Sequence, residues 1–105
     1  MNWKVIKEKY PKSLDLFDKS SPASESFAGD IFSRILYDFF DDNGFMIGVY
    51  PRVSMMGMIW INSFVIIIHE SESPNILFSE TSYKNRRGAE EDAFTEAFKI
   101  LEERL

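Results

Sequence analysis

His69, followed by Glu70 and Glu72, is the only imidazole in the chain. It is therefore the one side chain that can act as a general base near pH 7 or offer nitrogen to a metal. Catalysis also needs a nucleophile, a group that orients the base and a polarising group, and no spacing around His69 supplies them. Asp41-Asp42-Asn43-Gly44 invites comparison with a calcium loop. Aligning Gly44 to the sixth position puts Phe39 first and Tyr50 twelfth, so the initial carboxylate and the bidentate glutamate are both missing. Asp38, Asp41 and Asp42 with Glu70 or Glu72 could hold magnesium only through ligands brought from separate segments, and a solvated helix end is the plainer reading. The chain has no cysteine, which removes disulfides, thiolate nucleophiles and Cys-ligated metals. Its five glycines never cluster into a phosphate loop. These observations lead to no expected catalytic, cofactor-binding or metal site.

The more informative stretch is Met55-Met56-Gly57-Met58-Ile59-Trp60, which packs three methionines and a tryptophan into six residues. Methionine adapts to irregular partners, and a hairpin tip usually carries more polar residues than this one. Met55, Met56, Met58 and Trp60 are therefore the candidate partner surface, with completion of the chain's own core as the alternative.

Charge narrows the partner class. Twelve Lys+Arg against seventeen Asp+Glu give −5, which opposes the long-range attraction on which non-specific nucleic-acid binding depends. The first twelve residues carry +3 through Lys4, Lys7, Lys9 and Lys12 against Glu8, while Ser13 to Asp42 carries −5. Lys84, Arg86 and Arg87 precede Glu90, Glu91 and Asp92, which blunt their field. No signal peptide is recognisable, and the apolar run from Phe64 to Ile68 is far below a membrane span, so a cytoplasmic protein is expected.

The elements that must position these residues follow from punctuation and period. One domain spanning 1–105 is expected, because 105 residues leave no room for a second core. Trp3, Ile6 and Tyr10 recur at helical spacing; Pro11 ends that helix and opens another, with Leu14 and Phe17 inward and Asp15 near its N-terminus. A third helix begins at Ser21-Pro22 or, because Gly29 weakens its middle, at Asp30, and runs to Asp41. Asn43 or Gly44 closes it in the left-handed conformation.

From Phe45 the period becomes two, and Pro51 places that strand at an edge or a bulge. Ser54 to Gly57 reads as a turn. Met58 to His69 reads as one long central strand, with a bulge or hairpin at Asn62-Ser63 as the alternative. Met58, Trp60, Phe64, Ile66 and Ile68 share one face, and Ile59, Ile61, Val65 and Ile67 the other, so both faces are apolar. Ile76 to Tyr83 gives a third strand. From about Arg86, an apolar stripe through Ala89, Ala93, Phe94, Ala97, Phe98 and Leu101 marks the last helix, whose Glu102 and Glu103 oppose its macrodipole. The expected fold is α+β in two layers: N-terminal helices, a three-stranded antiparallel meander and a C-terminal amphipathic helix.

Three segments, Asn2 to Pro11, Leu36 to Asp41 and Arg87 to Glu102, resemble a group of small uncharacterised bacterial proteins often found in prophage or mobile-element settings. Members read Thr-Arg-x-Glu-Ala where this chain has Asn85-Arg86-Arg87-Gly88-Ala89, so Gly88 stands in place of a capping-box glutamate. The resemblance implies a phage-linked accessory protein and no particular activity.

The functional expectation is a non-enzymatic accessory or interaction module that meets a protein partner or a second copy of itself through an apolar sheet face or the Met55 to Trp60 tip, with no nucleic-acid or membrane partner expected. A small-ligand binder or enzyme using His69 with carboxylates is the first alternative. A weak nucleic-acid binder using Lys4, Lys7, Lys9, Arg86 and Arg87 is the second.

Overall fold

The computed structural model describes residues 3–20, 30–53, 60–69, 74–79 and 82–105. Within these residues, four helices and three strands follow in the order α1 (Trp3–Lys9), α2 (Pro11–Ser20), α3 (Asp30–Asp42), β1 (Phe45–Val53), β2 (Trp60–Ile68), β3 (Asn75–Phe78) and α4 (Arg86–Arg104). The fold is α+β in two layers, with the helices on one side of an antiparallel sheet of order β1-β2-β3.

Proline chemistry sets the first junction. The Tyr10 N–H donates to the Ile6 carbonyl at 2.7 Å and closes α1, while the Tyr10 carbonyl accepts from Leu14 at 3.1 Å and opens α2. Pro11 lies between them at the first helical position, where its missing N–H leaves no bond unmade. At the junction of α3 with β1, Gly44 takes φ +86°. Its N–H donates to the Asp41 carbonyl at 3.1 Å, satisfying one of the last carbonyls of α3 as the chain reverses into β1. Ser21, Pro22 and Gly29, the alternative features for the start of α3, lie outside the described residues.

α2 corrects one electrostatic expectation. Asp15 lies beyond the first turn and pairs with Lys19 at 3.0 Å, on the exposed side. The first turn is served instead by Glu102 of α4. One of its carboxylate oxygens accepts the Lys12 N–H at 3.0 Å; the other accepts the Ser13 N–H at 2.9 Å. The buried Ser13 hydroxyl donates to the Phe98 carbonyl at 2.9 Å and lies 3.3 Å from the same carboxylate. α4 therefore caps α2 from 89 residues away in sequence, giving orphan N–H groups an ionised acceptor at the positive end of the helix dipole. Burial pushes the Glu102 pKa up. The hydrogen bonds from Lys12 and Ser13, with the Lys12 charge, outweigh it and hold the carboxyl below the usual range.

α4 has its own cap. Asn85 sits in extended conformation, and its side-chain oxygen accepts the Gly88 N–H at 2.7 Å. Half of the capping box survives the loss of its glutamate, because Gly88 supplies the backbone donor whatever its side chain. Ala89, Ala93 and Ala97 are fully buried and let α4 pack closely on β1 and β2.

Phenylalanine dominates the core. Phe40 meets Phe98 edge-on at 4.9 Å and Phe94 in a stack at 6.2 Å, while Phe17 meets Phe39 edge-on at 5.0 Å. Phe45, Phe64, Ile66 and Ile68 enter the same cluster from the sheet, with Ile47, Val49 and Leu77 packed at its margin. These residues share one side of the pleat, and it is the side the helices cover.

β2 runs unbroken through Asn62 and Ser63, pairing with β1 from Phe45↔Ile68 to Val53↔Trp60. Neither polar residue needs a bulge. Asn62 exchanges backbone hydrogen bonds with Tyr83, and the Ser63 hydroxyl accepts from Arg52 Nε at 2.8 Å. β3 is shorter than its sequence suggests, ending at Phe78 with Tyr83 returning only as an isolated bridge to Asn62.

Candidate functional site

The register fixes what the second face of the sheet presents. Because paired residues share a face, the side turned away from the helices carries Met46, Gly48, Tyr50 and Arg52 from β1. Ile61, Ser63, Val65 and Ile67 come from β2, and Ile76 and Phe78 from β3. Met46, Ile67 and Ile76 form one row across all three strands, and Gly48, Val65 and Phe78 the next. The outer members are open: Met46 is 49% exposed, Ile76 48% and Phe78 63%. The centre is half-buried, because Val65 and Ile67 are flanked on both sides. Gly48 leaves a dip in the second row, where an added Cβ would come within 3.3 Å of Val65. Among the described strand residues, Arg52 is the only formal charge on this face, and Ser63 holds it toward the end of the sheet.

The sequence-derived candidates distribute differently. Met55, Met56 and Met58 lie outside the described residues. Trp60 begins β2 opposite Val53, and both are exposed, at 69% and 49%. Their side chains belong to the helix-facing side of the pleat, so they form an overhang separate from the Phe78 face.

His69 follows β2 and is exposed, its backbone N–H donating to the Gly44 carbonyl at 2.9 Å. Its neighbours Glu70 and Glu72 lie outside the described residues, and among those described no three His, Asp or Glu side chains converge as metal ligands. Lys4, Lys7 and Lys9 are exposed along α1, Arg87 is exposed, and Arg86 pairs with Glu90 at 3.2 Å. No described helix is long and apolar enough to cross a membrane.

A shallow groove of about 150 Å³ opens between α3 and β1, lined by Tyr37, Asp38, Asp41, Phe45, Met46 and Ile47. Tyr37 packs edge-on against Phe94 at 4.9 Å. Burial pushes its phenol pKa up, the Glu90 charge adds to this, and the charge and hydrogen bond of Arg86 pull it back without cancelling the rise. Asp38 and Asp41 are exposed at the rim, with no ion-pair partner among the described residues.

Sequence reasoning placed apolar residues on both faces of β2 but missed Met46, Ile76 and Phe78 as the exposed ones. Counting outward from Phe45 as an inward residue would have found Met46. The β3 pair needed the strand register, which no local pattern carries. Compared with known proteins, the chain matches no family model, no curated protein and no solved structure.

Proposed function

We propose that this chain is a non-enzymatic protein-interaction module that associates with a second copy of itself through the outer face of its sheet. The observation that carries the reading is the row of exposed Met46, Ile76 and Phe78 on a face opposite the helical layer. A second copy fits because the face is nearly free of charge. Two chains of −5 repel at a distance, but pairing these faces brings together no carboxylates of the described strands. The phage-linked accessory role implied by the resemblance is compatible with such a module.

Magnitudes set the strength. Together with half-open Tyr50, the exposed fractions amount to about two whole side chains per copy, worth ~3–6 kcal/mol on full burial. Two copies double that gain, against an association cost of about 4–15 kcal/mol. The balance is a weak, concentration-dependent dimer. Salt strengthens it, because screening removes the mutual repulsion of the acidic chains.

Sedimentation equilibrium of the wild type and Phe78→Ser, up to about 1 mM, tests this. The wild type associates and Phe78→Ser weakens association at least tenfold. A strictly monomeric wild type that is retained by other proteins through the same residues would replace the second copy with a foreign partner. A monomer bound by nothing would remove the reading.

A further inference from the structure

The open edge of β1 is a separate surface from the face just described. In an antiparallel ladder, successive residues turn their N–H and C=O groups alternately toward the partner strand and away from it. The His69 N–H donates to the Gly44 carbonyl, so the even-numbered residues of β1 face β2, and Ile47, Val49, Pro51 and Val53 turn their backbone groups outward. β1 is an edge strand, and no described residue bonds those outward groups. Phe45 has the same orientation but is buried. Pro51 has no N–H, and the missing donor falls on the outward side, where the ladder to β2 does not need it. An added chain therefore meets the N–H and C=O of Ile47 and Val49, and then a stop.

Side chains of an added strand would alternate between two environments. One set would enter the groove between α3 and β1, where Asp38 and Asp41 stand without cationic partners among the described residues. The other set would lie beside Met46 and Tyr50 on the outer face. We propose that the β1 edge takes up an extended segment of a partner protein by strand addition, with lysine or arginine in the Asp38 and Asp41 groove and apolar residues at the alternate positions. The shallow groove, about 150 Å³, accommodates one long unbranched side chain. Local charge decides against a second copy at this edge, since pairing β1 with itself would bring two acidic α3 helices together. The proposal does not depend on self-association through Phe78.

The test uses a capped heptapeptide of alternating valine and lysine, titrated into the whole chain by fluorescence anisotropy, with hydrogen exchange at the Ile47 and Val49 amides. Two further peptides carry N-methyl groups on one or the other alternate set of amides. The expected results are slowed exchange at Ile47 and Val49, loss of binding for one methylated peptide only, and at least tenfold weaker binding to Asp38→Asn/Asp41→Asn. Phe78→Ser leaves the binding unchanged. Equal binding by both methylated peptides means attraction by charge alone and overturns the proposal. So does equal binding of a valine–glutamate peptide, or no binding at about 1 mM.

Discussion

Replacing Glu102 by alanine is expected to destabilise the chain through a helix that Glu102 does not belong to. The carboxylate accepts the Lys12 and Ser13 N–H groups at 3.0 and 2.9 Å, and with Pro11 at the first position these are the remaining unpaired donors before Leu14. Losing a helix cap costs about 0.5–2 kcal/mol, and the ionised acceptor at the positive end of the dipole places this one in the upper half of that range. The Ser13 hydroxyl keeps its bond to the Phe98 carbonyl, so the packing of α2 on α4 survives. Chemical denaturation should therefore show about 1–2 kcal/mol lost in Glu102→Ala with an unchanged denaturant slope.

Glu102→Gln keeps an acceptor without the charge and falls between. The sign with pH follows from the depressed pKa of Glu102 in the folded chain. Its stabilisation is fully present above the unfolded value, about 4.3, and disappears as pH falls through the lower folded value. The gap between the wild type and Glu102→Gln should accordingly be widest near neutrality and close in acid. A gap that is constant with pH, or a Glu102→Ala variant as stable as the wild type, would show that the cap does not operate.

Other outcomes can be checked by the same denaturation assay. Gly44→Ala forces a Cβ into the left-handed region at φ +86° and should cost about 1–2 kcal/mol, although the space there is open to within 3.9 Å of the His69 carbonyl. Asn85→Ala removes the acceptor for Gly88 and should cost about 1 kcal/mol, whereas Asn85→Asp should leave stability nearly unchanged. Phe98→Ala empties a fully buried position that touches Phe40 and Phe17 and should cost about 3–5 kcal/mol.

Much of the architecture was legible because it is written in local chemistry. Pro11 both ends α1 and starts α2, Gly44 closes α3, and Pro51 marks an edge strand; each effect belongs to the backbone of one residue. The continuity of β2 through Asn62 and Ser63 was readable from strand period on either side. Glu102 was not, since in its own helix it only opposes the dipole, and its use appears when α2 folds back across 89 positions. The exposure of Ile76 and Phe78 was hidden for a similar reason. Four residues of β3 do not announce which side faces out until Val65 pairs with Phe78. The methionine cluster was visible as composition, but Met55, Met56 and Met58 lie outside the described residues, and Trp60 stands apart from the Phe78 face.

Sedimentation equilibrium of the unmodified 12.2 kDa chain, from micromolar to about 1 mM and at low and high salt, bears most directly on the outer face of the sheet. A weight-average mass that climbs toward twice the monomer, sooner in high salt and later in Phe78→Ser, is the expected result. A mass that stays at 12.2 kDa across the range, with Phe78→Ser indistinguishable from the wild type, would contradict it.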